Sequence, residues 1–235
     1  MSSARSIALV TGVFMVMTFV FSIPGLLLYG PVLNHTDYVL GAGADKRIYL
    51  GAFFEVITVI ANIGTAVTLF PLLKRQNEGV AIGYVASRVL ESTVIVVGIV
   101  SMLAVVTLRQ DLRGATGADA ATLLTVGRAL VALHDGTFLL GPAFCAGIGN
   151  GMLLGFLMFR SGLVPRPMVF LALVGGPLAF VAATGALFGL FDQQSPPSFA
   201  LTLPEILWEG SFGIYLIVKG FKPAPILDGY PDVSR

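Results

Sequence analysis

Charge is what this sequence has least of. Acidic and basic side chains make up 11% of its 235 residues, where an ordinary soluble domain carries roughly a quarter. With 56% of the residues hydrophobic, a globule of this composition could not keep its surface in water. The one cysteine, Cys145, excludes an intrachain disulfide and leaves no second thiol for a cysteine-based metal site. A formal net charge of +1 excludes the strongly basic face that nucleic acid needs, so no such partner is expected.

What the sequence does have is a series of long apolar runs. A helix needs about 20 mainly apolar residues to cross a bilayer. Runs of that length lie at 7–29, 48–73, 80–108, 137–159, 168–191 and 199–218, each bounded by charge, Pro or Gly. They predict an all-α fold, a polytopic membrane helix bundle of six transmembrane helices. One domain is expected over 1–222, followed by an irregular tail over 223–235. Arg5 ahead of the first run is similar to the start of a secretory signal, but the run reaches Leu33 without a small-residue cleavage site. It is read as a retained span.

Six crossings put both termini on one side. That side carries eight basic residues (Arg5, Lys74, Arg75, Arg160, Arg166, Lys219, Lys222 and Arg235) and three acids (Glu78, Asp228 and Asp232). The other carries five basic residues (Lys46, Arg47, Arg109, Arg113 and Arg128) and six acids. The positive-inside tendency therefore predicts cytoplasmic termini. On the outer side, Leu123, Val126, Gly127, Leu130 and Leu133 recur at helical spacing, which suggests a helix lying on the interface. Tyr29, Tyr38 and Tyr49 are expected to anchor that interface. Pro24 and Pro177 are expected to kink their spans, and Gly175-Gly176 ahead of Pro177 makes the fifth a candidate broken helix.

Five ionisable residues fall inside spans: Glu55, Arg88, Glu91, Glu205 and Glu209. Each costs about 2.5–3.5 kcal/mol to insert, so such groups turn toward a bundle interior and find partners. Glu55, Thr58, Asn62 and Thr65 share one stripe of the second span. Arg88 and Glu91 are three apart on the third, and Glu205 and Glu209 four apart on the sixth. The spacing predicts a polar cluster from these three spans, with Asn62 and Asn150 adding neutral hydrogen bonds. Trp208 points off the carboxylate face, toward lipid or a neighbouring helix.

Several functions fit that cluster. One is binding or transport of a small polar or cationic solute, or of protons, with Glu91 and Glu209 as central carboxylates and Arg88 as counter-charge. Against it stands a buried ion-pair network that only locks helices together. A membrane-embedded metal or haem protein, or an enzyme, could use His35 and His134, which lie near Asp37 and Asp135, although they follow no recognised ligand spacing. A non-catalytic membrane partner or regulatory subunit is the third class, since Gly147, Gly151 and Gly155 form a small-residue stripe that lets helices approach closely. No metal or cofactor is expected, the lipid bilayer is the expected partner, and oligomerisation stays open.

Four stretches carry a family resemblance. They are Pro71-Leu-Leu-Lys-Arg-Gln-Asn-Glu-Gly-Val-Ala-Ile-Gly-Tyr; Ser87-Arg-Val-Leu-Glu-Ser; Phe138-Leu-Leu-Gly-Pro through Arg160-Ser-Gly-Leu-Val-Pro-Arg; and Pro204-Glu-Ile-Leu-Trp-Glu to Lys219-Gly-Phe-Lys. Together they resemble the bacterial membrane proteins grouped as domain of unknown function 4386. The resemblance runs over nearly the whole chain and is most specific in the fourth span and the loop after it. It implies a multi-span membrane fold and a bacterial origin, hence the cytoplasmic membrane, and it brings no catalytic role with it.

Overall fold

An apolar run that crosses a bilayer must satisfy its own backbone hydrogen bonds, and a helix does so within one segment. The computed structural model describes residues 3–35, 37–41, 43–112 and 114–230. Arg113, Asp232 and Arg235 of the charge count, and the end of the tail, lie outside the described residues. Among the described residues there is no strand, and six helices are long and apolar enough to cross a membrane. They are α1 (Ala4–Leu28), α2 (Asp45–Leu73), α3 (Glu78–Asp111), α4 (Gly117–Ser161), α5 (Arg166–Leu187) and α6 (Pro196–Val218).

Local chemistry sets several of their ends. The Ser3 hydroxyl accepts from the Ser6 amide at 3.1 Å and caps α1, and the Asn77 side chain accepts from the Val80 amide at 3.0 Å and caps α3. α4 stops at Gly162, whose φ of +67° is the left-handed conformation that glycine adopts without cost.

Each helix packs against the next, and α6 returns against α1, so the six close a ring. Large apolar side chains cover the outside: Leu27, Phe53, Val67, Val100, Val181 and Ile214 are all more than half exposed. A face of that kind is suited to lipid. Inside, the core divides in two. At the end holding the described termini, Met15, Leu69, Tyr84, Leu157, Trp208 and Phe212 form one apolar cluster. At the other end Tyr29, Ile48, Ile95, Met102 and Val106 form the second. Polar side chains fill the layer between.

Several expectations are corrected. The outer segment with helical spacing does not form a separate interfacial helix. It is the first part of α4, which runs unbroken over 45 residues from Gly117 to Ser161 and packs along α3. Tyr29 is fully buried and Tyr38 nearly so, so neither is an interface anchor. The Tyr29 hydroxyl donates to Glu55 Oε2 at 2.8 Å. The Tyr38 hydroxyl donates to Asp45 Oδ1 at 2.9 Å, and burial first, then this bond, raises its phenol above the ordinary range. Asp45 also pairs with Arg109, which donates to the Gly41 carbonyl at 2.7 Å, so the loop between α1 and α2 is tied to α2 and α3. Tyr49 stays exposed, its hydroxyl accepting from Gln110 at 3.1 Å.

The fifth span is not broken either. α5 continues through Gly175, Gly176 and Pro177, and the glycines serve close packing. A Cβ at Gly176 would stand 2.7 Å from the Gly147 carbonyl oxygen, and one at Gly155 would stand 2.8 Å from Ala172 Cβ. The stripe Gly147, Gly151 and Gly155 is therefore used within the chain, between α4 and α5. At the end with the termini, Lys222 N donates to the Leu163 carbonyl at 2.8 Å, and Arg75 donates to the Asp228 carbonyl at 2.9 Å with its guanidinium over the Tyr230 ring. The described part of the tail thus folds back onto the bundle.

Candidate functional site

The site begins with two polar stripes. α2 turns Glu55, Thr58 and Asn62 inward, and α3 turns Arg88 and Glu91 toward them. Arg88 Nη1 donates to Glu91 Oε2 at 2.7 Å, Arg88 Nη2 donates to Asn62 Oδ1, and Asn62 Nδ2 returns to Glu91 Oε1 at 3.2 Å. The three side chains form a closed, buried ring of hydrogen bonds joining α2 to α3. The ion pair Arg88 makes is to Glu91.

The other carboxylates have neutral partners. Glu55 accepts from Tyr29, and Asn150 of α4 donates to Glu209 Oε1 at 2.5 Å. No donor from the described residues reaches the second oxygen of Glu209. Glu205 is almost wholly buried, and neither of its carboxylate oxygens has a hydrogen-bond partner among the described residues.

These groups surround a cavity of about 250 Å³. Glu55, Asn62, Arg88, Glu91 and Glu209 line it, joined by His134. Asn150 stands behind Glu209. Glu205 does not reach this cavity; it lines a second one, of about 400 Å³, which it shares with Glu209. The predicted site residues are therefore brought together in two neighbouring cavities with Glu209 common to both.

α4 makes the partition between them, and its backbone is unusual. Leu139–Ala143 and Gly147–Leu154 are π-helical, with only the short α-helical piece Phe144–Ala146 between them. Pro142 has no amide hydrogen to donate inside the first of these, and glycines fill much of the second. Wide π turns of this kind recur at functional sites. Neighbouring helices donate to this stretch: Ser87 Oγ to the Cys145 carbonyl at 3.1 Å, and Trp208 Nε1 to the Asn150 carbonyl at 3.0 Å. Trp208 is thus a fully buried interhelical contact, stacked on Phe212 with ring centroids 4.6 Å apart. Trp208→Phe keeps the stacking and removes the donor. It is expected to cost about 1 kcal/mol, the net worth of one such bond, in unfolding free energy measured in detergent.

His134 is a residue whose surroundings the sequence concealed. It is buried, packs edge-on to Tyr29 with centroids 5.4 Å apart, and leaves Nδ1 without a hydrogen bond. Asp135 Oδ1 lies 3.7 Å from that nitrogen, on an exposed side chain. His35 instead lines a separate cleft with Asp135 and Tyr38, at the end of the bundle away from the described termini. The two histidines face different cavities, and no group of three or more His, Cys, Asp or Glu able to hold a metal occurs among the described residues.

Neither a curated protein nor a solved structure matches the chain. A family's sequence profile covers residues 10–220, which takes in both cavities and the six helices apart from residues 4–9 of α1. The chain belongs to the family described as domain of unknown function (DUF4386).

Proposed function

We propose that the protein binds a small cationic or polar solute, or protons, in the cavity between α1, α2, α3, α4 and α6, and that it carries this species in or across the membrane. One observation supports the reading above the others. Glu55, Glu91 and Glu209 share a cavity with a single guanidinium, and that guanidinium is taken up by Glu91 and Asn62. Two carboxylates are left with neutral partners at membrane depth, where an uncompensated charge costs several kcal/mol. A proton or a bound cation is the direct remedy. His134 adds a group that is cationic only when protonated.

A network serving only to lock helices would pair its charges one to one, which Arg88 does not do for Glu55 or Glu209. The excess of basic residues on the terminal side supports a topology with both termini in the cytoplasm, and the family resemblance supports a bacterial cytoplasmic membrane as its location.

Ligand-induced thermal stabilisation tests the reading. Purified protein in an uncharged detergent is titrated with tetramethylammonium, guanidinium and a neutral amino acid at pH 6 and pH 8. At 100 times Kd a ligand of the native state adds about 2.7 kcal/mol. At least one probe is expected to raise the unfolding temperature in a pH-dependent way, and Glu91→Gln and Glu209→Gln are each expected to abolish the effect. Binding that survives unchanged in both variants overturns the proposal.

A further inference from the structure

The second cavity differs from the first in its electrostatics. It holds Glu205 and Glu209, one helical turn apart on α6, and among the described residues no Lys or Arg lines it. Glu205 is 4% exposed and both its oxygens lack a hydrogen-bond partner, while Glu209 keeps one oxygen free of protein donors. The carboxylates stand at one end of the space. Gln193 and Ser198, from the turn before α6 and its first residues, line it further along, and the Gln193 amide nitrogen also lacks a partner.

The walls in between are mostly apolar, and the Thr202 hydroxyl there donates to backbone carbonyls of its own helix. Ala143, Ala179 and Ala183 form one smooth side, with Phe199 and Ile206 on another. Inorganic cations take sites built of several oxygen ligands. Two carboxylates at the end of an alanine-walled space do not make such a cage. They suit a cation that brings its own apolar body, with the charge seated between the carboxylates and the hydrocarbon against the alanines. Arg88, which lines the first cavity, has no counterpart here.

We infer that this second chamber is a binding site for an organic ammonium ion with a short apolar tail, held by Glu205 and Glu209. The inference rests on the reading of Glu209 given above, but it depends on Glu205 and the alanine wall, which the first cavity lacks.

The experiment uses the full chain in an uncharged detergent or a nanodisc and three probes: n-hexylammonium, n-hexanol and potassium ion. Binding is read by calorimetry and by the shift in unfolding temperature. Hexylammonium is expected to bind at least about tenfold more tightly than hexanol, as a charge-assisted hydrogen bond worth about 1.5–3 kcal/mol requires. Glu205→Gln is expected to remove that preference. Ala143→Leu keeps both carboxylates and fills the chamber without touching the first cavity; it is expected to weaken hexylammonium by a similar factor, and it decides the matter if Glu205→Gln does not fold. Equal binding of hexylammonium and hexanol marks the chamber as an apolar crevice for lipid tails and overturns the inference. So does hexylammonium binding that Ala143→Leu leaves intact and Glu91→Gln removes, a result that puts the cation in the first cavity and leaves the broader proposal standing.

Discussion

Arg88→Met is expected to destabilise the bundle by about 3–5 kcal/mol, the cost of breaking a buried pair by removing one member. The substitution keeps most of the side-chain volume and removes the guanidinium. It leaves Glu91 Oε2 and Asn62 Oδ1 without their donor in a layer enclosed between two apolar clusters. The partner substitution supplies the sign: with Glu91→Met added, the pair becomes apolar, a replacement that is often neutral. The double variant is expected to recover most of the loss, with Asn62 the remaining unsatisfied group. Unfolding in mixed micelles, run as a double-mutant cycle, measures the coupling. A single variant that loses less than about 1 kcal/mol would mean that Glu91 is neutralised by something other than Arg88, since an exposed pair contributes about that much.

The same pair shows what the sequence made legible. Inserting a charge into lipid is costly enough that three-and-four spacing alone places Glu55, Thr58 and Asn62 on one face and Arg88 with Glu91 on another, and the structure joins these faces. The six spans are equally readable, because a length of about 20 apolar residues leaves few alternatives. The partition of the carboxylates between two cavities is not readable. It depends on the path of α4, whose π turns arise from Pro142 and the run of glycines from Gly147 to Gly151. Pro142 was the available signal.

α4 hid its length for a related reason. Asp119, Arg128, His134 and Asp135 lower the apolar character of its first half, so a hydropathy reading starts the span near Thr137, whereas packing against α3 extends the helix back to Gly117. Tyr29 misled in the opposite direction. A tyrosine at the end of an apolar run has the same sequence context whether its hydroxyl faces headgroups or donates inward to a carboxylate, and only the position of Glu55 on the neighbouring helix separates the two.

Gly175→Val is expected to be strongly damaging although it alters no charge. A Cβ at this position would lie 2.5 Å from the Glu205 amide nitrogen and 2.8 Å from its Cα. These are backbone atoms of α6, so no rotamer change relieves the clash and the two helices must separate. Overpacking typically costs about 1–3 kcal/mol, and the upper end or beyond is expected where the obstacle is backbone. Gly136→Ala makes the comparison, since a Cβ there meets nothing within 4 Å. That change is expected to be neutral or to stabilise by about 0.5–1 kcal/mol, because alanine gives up less conformational freedom on joining a helix. Opposite signs for the two variants, measured in the same detergent, tie the effect to helix separation and not to glycine content. Because Glu205 sits at the crossing, Gly175→Val is also expected to displace its carboxylate and to weaken the preference of the second chamber for hexylammonium over hexanol, whereas Gly136→Ala leaves that ratio where it was.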